Sequence, residues 1–241
     1  MISVVVPVMN EEDNIASLIE EISKTSQSAP ISEIIYVDDG SRDGTYEILK
    51  SIRKKYSQLR IIRHENRSGQ SAALWTGIRA AGNDLIVTLD GDGQNDPADI
   101  PLLYQKYQNT SQTHGDKIMV AGQRVKRQDT WVKLISSRLA NKIRSSLLKD
   151  NTRDTGCSLK MFRRRDYLNL PYFNHMHRFL PALMIREGVR IEHVDVSHRP
   201  RTRGVSKYGT IDRLKVGISD LLGVRWLQTR APSHVKTVED L

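Results

Sequence analysis

The chain has a single cysteine, Cys157, which excludes an intrachain disulfide framework and fits a reducing compartment. No apolar run approaches the roughly 18 residues that span a bilayer, and mean hydropathy is -0.48. The start, Ile2-Ser3-Val4-Val5-Val6-Pro7, is strand-like, with no basic leader or small-residue cleavage site, so no signal peptide is expected. Neither a GxGxxG fingerprint nor a Walker P-loop occurs, which argues against a dinucleotide cofactor and a kinase-type ATP site. Aromatic residues make up only 6% and no recognised RNA or DNA module is present. A basic nucleic-acid-binding protein without catalysis is therefore the rival reading, and no nucleic-acid partner is expected.

Charge is present but uneven. Net charge is +9 over 241 residues. Residues 1–120 hold 12 Lys+Arg against 17 Asp+Glu, whereas residues 121–241 hold 25 against 11. An acidic half suits a cation, and a basic half suits an anionic partner such as a phosphorylated substrate or a lipid surface.

The first half alternates strand-like and helix-like segments. Apolar runs at Ile2–Val8, Ile34–Val37, Leu59–Ile62, Leu85–Leu89 and Ile118–Ala121 read as buried strands. Between them, Glu11–Lys24, Asp43–Tyr56, Ser71–Ala81 and Pro97–Tyr107 read as helices, the first with Ile15, Leu18, Ile19 and Ile22 at helical spacing. Single helices between strands predict an α/β fold with a mostly parallel sheet and helices on both faces. Ligands of such sheets bind beyond the carboxyl ends of the strands, and polar motifs fall there repeatedly.

The most informative motif is Asp90-Gly91-Asp92-Gly93-Gln94, directly after the fourth strand. In extended backbone, residues i and i+2 project to one side, so Asp90, Asp92 and Gln94 converge. Two carboxylates and an amide oxygen form a hard-oxygen corner suited to Mg2+ or Mn2+, with the rest of the shell left to water and substrate phosphates. A polar turn is the plainer reading. Asp39, at the end of the second strand, is placed to accept from a base or ribose, or to cap the next helix.

Pro7–Glu12, Val37–Thr45, the Asn66/Gly69 loop and Asp90–Gln94, in this order and spacing, resemble the GT-A family 2 glycosyltransferases. Among these, the dolichol-phosphate or polyprenyl-phosphate mannosyltransferase branch is most similar, over about residues 1–208. The resemblance implies a Rossmann-like GT-A domain over 1–208. Its nucleotide-sugar half would span 1–122 and its acceptor half 123–208. It implies that Pro7, Asn10, Glu11, Asp39 and Gly69 hold the nucleotide-sugar and that Asp90, Asp92 and Gln94 hold the diphosphate through the metal. It also implies GDP-mannose as the first donor to consider and a polyprenyl phosphate as acceptor. UDP-sugars, and a hydroxyl acceptor in cell-envelope glycan or lipopolysaccharide assembly, stay open.

In the second half, Asp154–Lys160 resembles the loop that the family places beneath the sugar, and Cys157 reads as an inert buried thiol. Relatives that glycosylate a hydroxyl usually carry a carboxylate near His177-Arg178-Phe179, and none occurs there; Glu187 and Asp195 are the nearest candidates for that role. A hydroxyl needs a general base. A phosphate is already anionic, and its difficulty is repulsion from the donor diphosphate, which cations relieve. Arg199, Arg201, Arg203 and Lys207 are expected to supply that cationic charge, the last three as catalytic cations beside Asp92, and Arg124 is a further candidate for the phosphates. Trp131–Leu148 and Ile211–Leu227 are basic amphipathic stretches. Residues 209–230 are expected to lie on an anionic membrane surface at its cytoplasmic face, followed by a polar tail at 231–241.

Overall fold

A computed structural model of the chain describes residues 1–124, 144–152, 154–200 and 210–230. Seven strands form one sheet in the order β3-β2-β1-β4-β6-β5-β7. They are β1 (Ile2–Val8), β2 (Ile31–Asp38), β3 (Leu59–Arg63), β4 (Leu85–Thr88), β5 (Ile118–Arg124), β6 (Lys160–Arg163) and β7 (Arg190–Val196). The longer helices are α1 (Glu12–Thr25), α2 (Thr45–Arg53), α3 (Gln70–Ala80) and α4 (Ile100–His114). Short α5 (Arg164–Leu168) and α6 (Leu180–Arg186) and long α7 (Thr210–Thr229) follow.

The parallel α/β expectation holds for β1 to β4, and β5 pairs parallel with β7. The sequence reading omitted β6 and β7. β6 runs antiparallel between β4 and β5 and so separates two strands that the alternation alone would place side by side. Because it is reversed, Lys160 at its start pairs with Thr88 at the end of β4. The loop before β6 thereby arrives at the carboxyl edge of the parallel strands, where the motifs collect. Helix α2 ends at Arg53 rather than Tyr56, and β5 continues to Arg124.

Both faces of the sheet are covered. On one, Ile15, Leu18, Ile19 and Ile22 of α1 pack with Leu49 of α2 and Ile100 and Leu103 of α4 against Val4, Val6, Ile34 and Val120. On the other, Ala73, Leu74 and Ile78 of α3 join Phe162, Tyr167 and the α6 residues Ala182, Leu183 and Met184 against Val5, Ile35 and Met119. Burying about a dozen such side chains per face, at roughly 1.5–3 kcal/mol each, is the main term holding the helices to the sheet.

Two special residues set the edge. Pro7 pairs with Val37 of β2, but the β1–β4 register ends at Val5↔Thr88, so no ladder partner needs the N–H that proline lacks. Gly91 crosses that vacated position. A Cβ there would lie 2.3 Å from Val8 Cγ1 and 3.3 Å from the Pro7 carbonyl oxygen, so only glycine lets the loop after β4 close over β1. Helix α7 buries Val224 and is tied back by Arg186 Nε donating to the Leu227 carbonyl at 3.0 Å. Its other side exposes Ile218, Leu222 and Trp226, at 54%, 60% and 60%.

Candidate active site

The loops after β1 and β2 clamp one another. Asn10 adopts a positive φ of 52°. Its N–H donates to Ser41 Oγ at 2.9 Å, and its Oδ1 accepts from the Arg42 N–H at 2.8 Å. Glu11 N–H donates to Thr45 Oγ1 at 2.9 Å, and Glu11 Oε2 accepts from Asn14 Nδ2 at 2.8 Å. Asp39 is buried and anchors the loop after β3. Its Oδ1 accepts from the Ser68 N–H at 2.8 Å and lies 2.8 Å from His64 Nδ1, while Oδ2 accepts from the Gly69 N–H at 2.8 Å. His64 is held in turn by Thr76 Oγ1 at 3.0 Å. Asp39 thus fixes Gly69, whose φ of 94° starts α3. The sequence reading named Asp39 and Gly69 but missed His64 and Ser68, the residues that join them.

At the end of β4, Asp90 Oδ1 accepts from Gln70 Nε2 at 2.7 Å, and the Asp90 N–H donates to Ser158 Oγ at 3.0 Å. Asp92 Oδ1 accepts from the Gln94 N–H at 3.1 Å, so the segment after β4 is an Asx turn, with Gly93 at a φ of 73°, and not the extended backbone expected from the sequence. Gln94 is pinned on its other side, where its carbonyl accepts from the Arg199 N–H at 3.0 Å. Burial, then the adjacent Asp92 charge, pushes the Asp90 carboxyl up to about 6, against weaker opposition from Ser158, Lys160 and Arg124. A carboxyl held up by burial and by a neighbouring carboxylate stands in a site short of positive charge. A hard divalent cation fits that deficit. No group of three His, Cys, Asp or Glu side chains gathers among the described residues, so Asp90, Asp92 and the Gln94 amide would leave much of an octahedral shell to water and substrate.

From this corner a cavity of about 1120 Å³ extends over the carboxyl edge. Ser68, Gly69, Gln70, Asp90, Gln94, Gly156, Ser158 and Lys160 line its polar end, while Leu74, Phe179, Leu180 and Leu221 line its apolar end. Lys160 is buried, its Nζ donates to the Cys157 carbonyl, and burial holds its ammonium below the usual lysine range. His177 lies 2.8 Å from Ser71 Oγ through Nδ1. Burial, then the Arg178 charge, lowers its imidazole to about 3, so it is neutral at physiological pH. Cys157 is buried with its thiol pushed up by burial, in keeping with an inert role.

Arg124 does not line the cavity. Its guanidinium forms a two-pronged pair with Asp154, Nε to Oδ2 at 2.6 Å and Nη2 to Oδ1 at 2.7 Å. Neither Glu187 nor Asp195 lines the cavity, and Glu187 is engaged by Arg186. Arg199, expected among the phosphate cations, is instead paired with Glu21 at 2.6 Å and Asp96 at 2.8 Å and does not line the cavity, while Arg201, Arg203, Lys207 and most of Trp131–Leu148 lie outside the described residues. The contacts made by Gln70, Ser71, Ser158, Lys160 and His177 escaped the sequence reading; the only signal was their occurrence in motif loops already singled out.

Residues 3–170 match the family model for glycosyl transferase family 2. The chain is 36% identical over 228 residues to dodecaprenyl-phosphate galacturonate synthase of Rhizobium johnstonii, covering 92% of this chain and 66% of the relative. It is 32% identical over 211 residues to undecaprenyl-phosphate 4-deoxy-4-formamido-L-arabinose transferase of Aeromonas hydrophila, covering 87% of this chain and 63% of the relative. The chain therefore spans just under two thirds of the length of these curated relatives. Its fold is similar to that of glucosyl-3-phosphoglycerate synthase from Mycobacterium tuberculosis, solved with Mn2+, UDP and glucosyl-3-phosphoglycerate. The TM-score is 0.68 at 21% identity, covering 97% of this chain and 81% of that one. On the family match, the two relatives and the shared architecture, the chain belongs to glycosyl transferase family 2 and has the GT-A fold.

Proposed function

We propose that the chain transfers a single sugar from a UDP-sugar to a polyprenyl phosphate, with inversion, at the cytoplasmic face of a membrane. The observation that carries this is the cavity itself, which joins Asp90 and Gln94 at one end to an apolar wall at the other, with Asp92 beside Asp90 but off the lining. A nucleotide diphosphate suits the first and the start of a polyprenyl chain the second. Of the two donors considered at the outset, the UDP-sugar is favoured over GDP-mannose. The relatives are named for galacturonate and 4-deoxy-4-formamido-L-arabinose, and neither for mannose.

Asp90, Asp92 and Gln94 would hold Mg2+ or Mn2+, and a divalent cation there would offset the charge of the leaving diphosphate. Asn10, Glu11 and the Asp39-anchored loop through Gly69 shape the nucleoside side. Pro7 contributes by letting Gly91 close the corner. The acceptor phosphate is anionic at neutral pH and attacks without a base, which agrees with Glu187 and Asp195 lying away from the cavity. Arg201, Arg203 and Lys207 are proposed to supply cationic charge to this encounter on sequence grounds, with Arg124 positioning the Asp154–Lys160 loop. No described helix is long and apolar enough to cross a membrane. Residues 209–230 are proposed as a surface helix that sets Ile218, Leu222 and Trp226 into the headgroup boundary.

The test is transfer of label to a short-chain polyprenyl phosphate from UDP-galacturonate, from the UDP-linked formamido-arabinose and from GDP-mannose, with Mg2+, Mn2+ or no metal. Metal-dependent lipid product from one UDP-sugar is the expected result. Product from GDP-mannose alone would reverse the donor assignment, and donor binding without lipid product would favour a hydroxyl acceptor.

A further inference from the structure

One wall of the cavity is a tight turn leading into the 3₁₀ helix Met176–Phe179. Its first residue, His175, has a φ of 67°, a left-handed conformation unfavourable for a non-glycine residue. Asn174 stabilises it, accepting the His175 N–H on Oδ1 at 3.0 Å, and Arg178 N–H closes the turn on the His175 carbonyl at 3.1 Å. His175, capping the helix, and Arg178, within it, both line the cavity.

Their surroundings set them apart from Arg67, Arg144 and Lys160, the other described cations lining the cavity, each of which is engaged. Arg144 is paired with Asp150, and Lys160 is spent on the Cys157 carbonyl. Arg178 and His175 make no side-chain hydrogen bond or ion pair among the described residues, although both are half-buried. A half-shielded guanidinium without a counter-charge is unfavourable. A strained turn that presents one to a cavity is accounted for if a ligand supplies the anion.

We infer that His175 and Arg178 form an oxyanion subsite, separate from the Asp90–Asp92 corner, that takes a carboxylate or phosphate group of a substrate. The fork of Arg178 matches either group bidentately, and His175, on the same cavity wall, can donate a second bond. The inference rests on the proposed function only for the source of the anion. A carboxylate would come from a uronic acid being transferred. A phosphate would come from the acceptor, whose chain would continue along Phe179, Leu180 and Leu221.

The experiment begins without either substrate. Inorganic phosphate and acetate are titrated by NMR against the full chain in chelator-treated, metal-free buffer, for wild type, Arg178→Gln and His175→Asn. Circular dichroism and thermal melts confirm that each variant folds. Affinity for at least one anion is expected to fall fivefold or more in Arg178→Gln and by less in His175→Asn. Equal affinity in all three folded proteins would overturn the subsite, whatever the protein's reaction. Two further arms identify the source. UDP-galacturonate and UDP-galactose differ only at the carboxylate. If Arg178→Gln abolishes a wild-type preference for the uronate and leaves UDP-galactose binding within twofold, the anion belongs to the sugar. If the preference is unchanged and the KM for short-chain polyprenyl phosphate rises tenfold, it belongs to the acceptor. Failure of wild type to bind any UDP-sugar would defeat the proposed function, while the phosphate and acetate titrations would still decide the subsite.

Discussion

Replacing Asp90 by asparagine should stabilise the metal-free protein at neutral pH while destroying its metal site. The introduced amide keeps an oxygen to accept from Gln70 Nε2 and leaves untouched the main-chain bond to Ser158 Oγ, so the local geometry survives. What changes is charge. In the folded chain the Asp90 carboxyl is pushed up to about 6 from its usual 3.8, first by burial and then by Asp92. A raised acid favours the fold when protonated. Its contribution is fully present below the unfolded value of about 3.8 and is lost as pH rises through about 6. At 1.36 kcal/mol per pH unit, ionised Asp90 costs the metal-free fold about 3 kcal/mol above pH 7 and about 1 kcal/mol at pH 4.5.

The assay is urea unfolding of wild type and Asp90→Asn in metal-free buffer at a series of pH values. The variant should gain about 2 kcal/mol on wild type between pH 4.5 and 7.5, which at an m-value of about 2–3 kcal/mol/M is a relative midpoint shift of about 0.7–1 M. Mn2+ should then raise the wild-type midpoint at pH 7.5 and leave the variant where it was, because a bound cation stabilises only the protein that binds it. A stability difference that stays flat across this pH range would refute the crowded-carboxylate account. A variant that still binds Mn2+ as wild type does would remove Asp90 from the metal set.

Three other substitutions probe the frame around that corner. Gly91→Ala puts a Cβ 2.3 Å from Val8 Cγ1. It should cost about 1–3 kcal/mol by overpacking and weaken Mn2+ binding by displacing both carboxylates, read by thermal melt and metal titration. Asp39→Asn turns an amide toward the Gly69 N–H that Oδ2 now accepts. It should raise the donor KM at least tenfold and lower stability by about 1–3 kcal/mol, and an unchanged KM would detach the Gly69 loop from donor binding. Gly77→Ala sets two known effects against each other. Alanine favours helix α3 by about 1 kcal/mol. Its Cβ, however, would lie 2.5 Å from Val5 Cγ1 and 2.9 Å from Val37 Cγ2, so the net result should be destabilising and partly relieved by adding Val5→Ala.

What could be read from the sequence was what local pattern encodes. β1, β2 and β4 are short apolar runs buried on both faces, so their residues announce them. Asp90, Asp92 and Gln94 stand out at alternate positions of one pentapeptide, but the extended backbone expected for them is a turn, with Gly93 at a φ of 73°. β6 has no such signature. Lys160-Met161-Phe162-Arg163 is four residues with a charge at each end, and it becomes a strand because β4 and β5 offer it two edges. The same holds for the contacts that finish the site. Asp39 to Gly69 spans 30 residues, Asp90 to Ser158 spans 68, and Ser71 to His177 spans 106. No periodicity carries information over those separations.

The reversed strand is also what makes one site out of two halves. If β6 ran parallel to its neighbours, the loop before it would enter from the far edge of the sheet and could not reach the corner after β4. Because it runs back, Ser158 arrives beside β4, where its Oγ accepts the Asp90 N–H and its carbonyl accepts from Thr88 Oγ1 at 2.7 Å. Gln70, at the start of α3, holds Asp90 from the other side, and Ser71, one residue on, binds His177 on the facing wall. The corner that would take the diphosphate and the wall that carries Arg178 are therefore set by adjacent residues of one helix. A displacement of α3 would move both anchors together.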